Sequence, residues 1–175
     1  MSTAKPQAIA GVSAENESIV RIVYPSIAGT AIGQGLGNLM ELIPIKVPLF
    51  HAKISYLLFG LPCGLAAVAG YFIEKILGVR YVLTNKSVQK WKALGNRKVS
   101  EVLLKDVAEV AIAQSSGQVF YRASDIHLQN AAGESIMVLP GVSHAEVFRQ
   151  TILEASHAQS LTASALETIK ARQTA

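Results

Sequence analysis

The chain has few of the residues that form disulfides, charged surfaces or stacking platforms for nucleic-acid bases. It contains one cysteine, Cys63, so no disulfide can form within it, and this residue is expected to be a small buried hydrophobe. Charged residues make up 16% of the 175 positions against 50% hydrophobic ones, which is unusual for a soluble domain. The aromatic residues form no stacking series, so no nucleic-acid partner is expected.

The sequence also lacks an arrangement typical of a catalytic or metal site. Asp106 and Glu109 are expected to point to opposite faces of a strand entry, and residues 115–117 have no nucleophile-elbow context. The histidines are scattered, with no further ligand at metal-binding spacing. The four are His51, His127, His144 and His157. We therefore predict no enzyme activity, no catalytic residues, no metal and no cofactor.

A long run without charge is the clearest positive feature. Residues 54–73 contain 20 positions and no charged residue, enough at ~1.5 Å per residue to cross a hydrocarbon core of ~30 Å. This run predicts a transmembrane helix over 54–76, expected to be retained because the N-terminus lacks the pattern of a secretory signal. Within 20 residues of the run, five cations follow it and two precede it. This bias predicts a protein of the bacterial inner membrane with its C-terminal domain in the cytoplasm.

A glycine-rich region over 22–53 precedes the apolar run. Glycines at a four-residue spacing form a stripe on a helix that lets a second helix approach closely. The apolar run carries small residues that could face this stripe. The candidate helix-packing glycines are Gly29, Gly33, Gly37, Gly60 and Gly64.

Three arrangements are open for residues 22–43. Gln34, Asn38 and Glu41 give the segment a polar face, which favours an amphipathic helix that lies in the membrane interface or re-enters it. The glycine stripe also suits a second membrane span, and a soluble loop is the third arrangement. Residues 1–21 are expected to be poorly ordered.

After Gly78 the apolar pattern changes from a helical to a strand-like period. Seven short runs separated by turn residues predict strands at 81–84, 87–92, 99–103, 107–113, 119–121, 126–129 and 135–139. Ser143 and Glu146 then form the pattern of a capping box, and the helix that follows has one apolar face. The predicted fold class is thus α+β and mainly β, with a small antiparallel barrel or sandwich and a capping helix over 79–158. A weaker helical pattern runs through the tail at 159–175.

Basic residues are concentrated at the start of this domain. Between Lys75 and Lys105 there are eight cations and one acid, Glu101. This basic block has two compatible interpretations. It is a positive-inside signal that keeps the domain in the cytoplasm, and it is a surface that contacts anionic lipid headgroups. A tight turn at Gly95-Asn96 predicts that Lys90 lies opposite Glu101 and that Lys92 lies opposite Val99.

Two stretches of this domain resemble the membrane-associated bacterial pleckstrin-homology-like (PH-like) family. The stretches are RYVLTNKSV at 80–88 and EVLLKDVAEV at 101–110, and the likeness covers roughly residues 54–155. The resemblance implies a seven-stranded bent barrel closed by a C-terminal helix. It implies a scaffold or binding role and no catalytic residues. The chain departs from the family in its first membrane arm, which here is glycine-rich and polar-faced.

Two functions are consistent with this sequence. In the first, the barrel is a lipid-surface module whose headgroup-binding residues are Lys90, Trp91, Lys92, Arg97 and Lys98. Trp91 would enter the interface or, alternatively, cover the barrel wall. In the second, the chain is a structural or adaptor subunit of a membrane complex, with a protein partner or a second copy packed against its glycine-faced helices.

Overall fold

The computed structural model describes residues 17–42, 46–47 and 52–173. Within them the elements are β1 (Ile19–Val23), α1 (Ala31–Glu41), β2 (Lys46–Val47), β3 (Ala52–Lys53), α2 (Ile54–Leu77), β4 (Val79–Thr84), β5 (Ser87–Lys92), β6 (Lys98–Leu103), β7 (Glu109–Ala113), α3 (Ser116–Val119), β8 (Ala123–Gln129), β9 (Ser135–Ser143) and α4 (Ala145–Gln173). Single 3-10 turns lie at Ile27–Gly29, Leu94–Asn96 and Leu104–Asp106. The predictions for residues 1–16 and His51 concern residues outside the described ones.

Two antiparallel sheets enclose the hydrophobic core. One has the strand order β1-β4-β5-β6 and the other has the order β7-β8-β9. Alternate residues of the strands point inward, so Tyr81 and Leu83 of β4 and Ile126 and Leu128 of β8 are completely buried. Helix α4 packs Phe148 against the same cluster. The structure therefore confirms an α+β fold with two antiparallel sheets and a C-terminal helix.

The two sheets contain seven strands, as predicted, but one of the seven is not where it was expected. The predicted strand at 119–121 is wrong, because these residues end α3 and form the turn after it. Ser115 and Gln118 form a capping box there, which favours a helical turn. The seventh strand is β1, which pairs with β4 across the whole inserted region. The expectation that residues 1–21 are poorly ordered is thus wrong for residues 19–21.

Helix α4 differs from the prediction at both ends. It begins at Ala145, with His144 at a positive φ of 54°, while Ser143 is the last residue of β9. Glu146 accepts a hydrogen bond from Arg149 rather than forming the predicted capping box with Ser143. The tail at 159–175 is helical through Gln173 and continues α4 without a break.

The region between β1 and β4 forms two helices, of which α1 packs against α3 and α2 packs against α1. Two glycines of this region contact backbone outside it: Gly29 approaches Pro140 and Gly141, and Gly37 approaches the carbonyl of Gly117. A third, Gly33, packs on the backbone of Ile27 in the preceding turn. Helix α1 buries Gly33, Gly37 and Met40. The stripe therefore packs α1 against α3 and the preceding turn, while the predicted partner glycines, Gly60 and Gly64, lie on α2.

Helix α2 has the predicted position, and the structure gives no support for its predicted membrane role. Its bounds, Ile54–Leu77, match the helix predicted over 54–76. Among the residues that the structure describes, no helix combines the length with the apolar character that a membrane crossing requires. The transmembrane prediction is therefore not supported. The helix packs against α1, and Tyr56 donates a hydrogen bond to Glu41 at 3.2 Å.

The register of the β5–β6 hairpin differs from the predicted one by one residue. Glu101 lies opposite Gln89, and Lys90 lies opposite Ser100. A bulge between Lys90 and Trp91 then brings Trp91 opposite Lys98. The predicted pairs Lys90–Glu101 and Lys92–Val99 are wrong, because the connection is a 3-10 turn containing Gly95 at a φ of 78° rather than a two-residue turn.

The packing of α1 is tested by adding one methyl group at two positions of the same helix. A Cβ at Gly37 would overlap the carbonyl of Gly117, whereas a Cβ at Gly35 meets no atom within 4 Å. We expect Gly37→Ala to lower the free energy of unfolding by ~1–3 kcal/mol, because backbone must shift. Gly35→Ala should leave it unchanged or raise it by up to ~1 kcal/mol through helix propensity. Thermal unfolding followed by circular dichroism checks both, and equal melting temperatures for the two variants would contradict this packing.

Candidate functional site

The exposed end of α2 adjoins the hairpin formed by β5 and β6. The N–H of Ala93 donates to the carbonyl of Gly78 at 2.9 Å, and Val79 pairs with Lys92. The last turns of α2 therefore lie beside the turn of the hairpin. Five large apolar side chains in these two segments are more than half exposed: Phe72, Ile73, Ile76, Leu77 and Leu94.

The same two segments carry cations. Lys75, Lys92 and Arg97 are exposed, and the described part of the chain gives none of them a salt bridge. Lys75 Nζ is 5.6 Å from the centre of the Tyr71 ring. We define the apolar-basic surface as Phe72, Ile73, Lys75, Ile76, Leu77, Lys92, Leu94 and Arg97. It combines the two properties by which a protein binds a membrane interface reversibly.

Two of the predicted headgroup residues have other contacts. Lys98 Nζ is 2.5 Å from Glu101 Oε2, so its charge is partly compensated. Trp91 is half-buried, and its Nε1 donates to Gln89 Oε1 at 2.8 Å. The Arg80 guanidinium lies 5.9 Å from the centre of the indole ring. Trp91 therefore lies on the sheet face, as in the alternative that it covers the barrel wall, while Leu94 occupies the turn.

The last predicted cation, Lys90, is half-buried on β5 beside the bulge. Lys92 and Arg97, by contrast, lie at the end of the hairpin and are exposed. The structure thus brings Lys92, Arg97 and Lys98 together around one turn, and places Lys90 and Trp91 further along the strand.

A polar network lies on the same sheet and holds the N-terminal segment to it. Glu17 Oε1 accepts hydrogen bonds from Thr84 Oγ1, Ser87 Oγ and Gln89 Nε2 at 2.8–3.0 Å. Glu101 Oε1 accepts from the same Gln89 Nε2 at 2.9 Å and lies 2.8 Å from Ser87 Oγ, whose single proton goes to one of the two carboxylates at a time. Hydrogen bonding by Lys98, then by Ser87, lowers the pKa of Glu101 below its usual value of 4.5. These carboxylates are thus acceptors that hold strands together.

A second polar cluster joins α3 to the end of β9. Asp125 Oδ1 accepts from Gln118 Nε2 at 2.5 Å and from the N–H of Gly141 at 2.8 Å. The Tyr81 hydroxyl donates to the carbonyl of Pro140 at 2.9 Å. Burial, and then the nearby carboxylates of Asp125 and Glu74, raise the pKa of Tyr81 well above its usual value, so the hydroxyl keeps its proton. This cluster stabilises the backbone of Pro140 and Gly141, against which Gly29 packs.

The remaining candidate residues do not form a reactive site. Among the described residues, no atom lies within 4 Å of the place that a Cβ would take at Gly60 or Gly64, the predicted partners of the α1 stripe. In the described part of the chain, no three side chains of His, Cys, Asp or Glu are grouped to hold a metal ion. His127 lies on β8, whereas His157 lies on α4.

Sequence reasoning missed the contribution of the end of α2 to this surface. Phe72, Ile76 and Leu77 were assigned to the interior of a membrane span and its tether, and Leu94 was treated as part of a turn. A large apolar residue directly before Gly95-Asn96 was the available signal, because tight turns normally carry polar residues.

Two packed antiparallel sheets of four and three strands, closed by a C-terminal helix, define a PH-like fold. The family model of the bacterial PH domain matches residues 31–156, most of the chain, and the chain belongs to this family. PH-like domains are in general non-catalytic binding modules. No curated protein and no solved structure matches the chain. The match includes both inserted helices and begins after β1.

The Glu101 network predicts a change in the pH dependence of stability. Because the pKa of Glu101 is lowered in the folded protein, its stabilising contribution is present above about pH 4.5 and is lost as the pH falls through the folded-state pKa. We expect Glu101→Gln to reduce stability at pH 7 and to flatten its decline below pH 4.5. Denaturant unfolding at several pH values measures this. Glu109→Gln, at an exposed strand position, is the control, and an equal flattening in both variants would contradict the role of Glu101.

Proposed function

We propose that this bacterial PH domain is a non-catalytic module that binds the anionic cytoplasmic face of the bacterial inner membrane. The apolar-basic surface makes the contact. Lys92 and Arg97, supported by Lys75 and Lys98, bind headgroups, and the exposed apolar residues enter the interface. The observation that carries the proposal is the position of exposed apolar side chains of α2 beside the cations of the β5–β6 turn.

The electrostatic part of this binding is modest. A cation near an anionic surface contributes ~1 kcal/mol, and contributions fall off within a Debye length of ~10 Å at 0.1 M salt. Lys75, Lys92 and Arg97 would together supply ~3 kcal/mol, because Lys98 is partly compensated by Glu101. Lys90 and Trp91, the other predicted headgroup residues, contribute less because both are half-buried.

The apolar contribution to the binding free energy is as large as the electrostatic one or larger. A large apolar side chain contributes ~1.5–3 kcal/mol when it moves fully from water to an apolar phase. Phe72, Ile76 and Leu77 are 56%, 57% and 59% exposed, so each has surface left to bury. An amphipathic helix in the plane of the interface gains this energy without crossing the bilayer.

A second function is favoured by a different observation. No described residue fills the space beside Gly60 and Gly64 on α2, and Leu65 is 75% exposed. A partner helix or a second copy of the chain could approach closely there. In this alternative the chain is a structural or adaptor subunit of a membrane complex, and its contact with that complex runs through α2 rather than through the hairpin.

Vesicle binding tests the lipid proposal. We expect the full chain to bind vesicles containing phosphatidylglycerol, and expect Lys92→Gln with Arg97→Gln to weaken binding by roughly thirtyfold, equivalent to ~2 kcal/mol. Lys105→Gln with Arg172→Gln removes the same charge elsewhere and should have little effect. Cosedimentation at two salt concentrations measures both pairs. Equal binding to neutral and anionic vesicles, or equal losses for the two pairs, would refute headgroup binding by the turn.

The apolar half of the surface needs its own variant. Phe72→Ser with Ile76→Ser keeps every charge but removes two exposed apolar side chains, so vesicle affinity should fall at high salt as well as at low salt. Because both side chains are more than half exposed, thermal stability should change little. The same variant should also be tested for crosslinking of the chain to a partner protein. If vesicle binding is unchanged while that crosslinking is lost, the adaptor function replaces the lipid function.

A further inference from the structure

The outer edge of β1 has no strand paired with it in the part of the chain that the structure describes. In the described part of the chain β1 pairs with β4 alone, so the backbone groups of every second residue face away from the sheet. Ile19, Val20 and Ile22 of this strand are 63%, 49% and 42% exposed. Proteins usually shield such an edge with charged side chains, proline or a covering element, and the sequence IVRIV has one charged residue, Arg21, and no proline.

A groove runs along this edge. A cavity of about 530 Å³ lies between residues 21–24 on one side and residues 143–144 and 147–148, at the start of α4, on the other. Its apolar lining includes Ile22, Tyr24 and Val147, all exposed, and Phe148 forms its buried floor. A strand edge beside a helix, with an apolar groove between them, is a geometry that accepts an extended peptide as an additional strand.

The charge of the groove lining indicates which kind of peptide would bind there. Among the described residues that line the groove, Arg21 is a cation, and there is no carboxylate. Arg21 donates to Thr151 Oγ1 at 3.4 Å, which leaves most of the guanidinium donors available. A carboxylate on the incoming strand would therefore find a partner, whereas a lysine there would be repelled.

We propose that the groove between β1 and α4 binds an extended segment of a partner protein, which adds to β1 as a strand. Its apolar side chains fill the groove, and an Asp or Glu pairs with Arg21. A second copy of the chain is disfavoured as the occupant. Antiparallel pairing of two β1 strands about their centre would place Arg21 opposite its own copy, and like charges directly opposite are destabilising. This site is separated from the apolar-basic surface by β4 and does not depend on lipid binding.

Two sets of short synthetic peptides test the proposal with the full chain. Both alternate Val or Ile with neutral polar residues, and they differ by Asp or Lys at the central position. Fluorescence anisotropy should show about fivefold tighter binding of the Asp set. Arg21→Glu should reverse this preference, and Lys105→Glu, at an exposed position outside the groove, should leave it as it was. Hydrogen exchange should show protection of outward-facing β1 amides when the Asp peptide binds.

Each of the contrary outcomes overturns the proposal. Equal affinity for the two sets, a preference that persists in Arg21→Glu, or no binding of either set would exclude an acidic strand at this edge. Unchanged exchange of the β1 amides in the presence of bound peptide would place the peptide elsewhere. Concentration-dependent protection of β1 without any peptide would identify a second copy as the occupant.

Discussion

Backbone contacts between glycines hold the inserted helices on the barrel, and the position of the candidate site depends on them. Gly37 of α1 packs on Gly117 of α3, and Gly29 packs on Gly141, whose φ of 68° is itself a conformation that favours glycine. Such contacts bring two backbones closer than any side chain would allow. They fix α1, and α1 in turn supports α2. The end of α2 can therefore lie against the β5–β6 hairpin at a defined place rather than moving as a loop.

The pairing of β1 with β4 closes the chain around this insertion. Closing a long loop costs entropy that grows slowly with its length, ~0.6 kcal/mol for each doubling, so a folded insertion of this size is tolerated. The network around Glu17 adds directional bonds at the start of β1, where Thr84, Ser87 and Gln89 are buried and must keep hydrogen-bond partners. The barrel thus gains its seventh strand from a segment distant in sequence, and the insertion becomes part of the fold.

How well the sequence predicted each element depends on how far apart in the chain its interacting residues lie. Local patterns identified β5, the core of β8 and both ends of α2 well, because side-chain alternation and charge-free runs are visible within one segment. The strand β1 was missed because its partner β4 lies beyond the insertion and no neighbouring run suggested it. The hairpin register was wrong by one residue because a bulge at Lys90 and a 3-10 turn replaced the simplest turn. For the candidate site, Lys92 and Arg97 were identified from charge, whereas the apolar residues of α2 required three-dimensional adjacency.

The basic block does not act as a single electrostatic unit, and this limits what charge alone can do. Arg80 is engaged with Asn96 and the Trp91 ring, and Lys98 is paired with Glu101. Three exposed cations at the end of α2 and the hairpin would supply ~3 kcal/mol toward an anionic surface, which corresponds to weak and salt-sensitive binding. Stable attachment to a membrane generally needs two signals of different kind. The exposed apolar residues of α2 are the second signal available beside these cations, so selectivity for anionic lipid would come from the hairpin and most of the affinity from the helix.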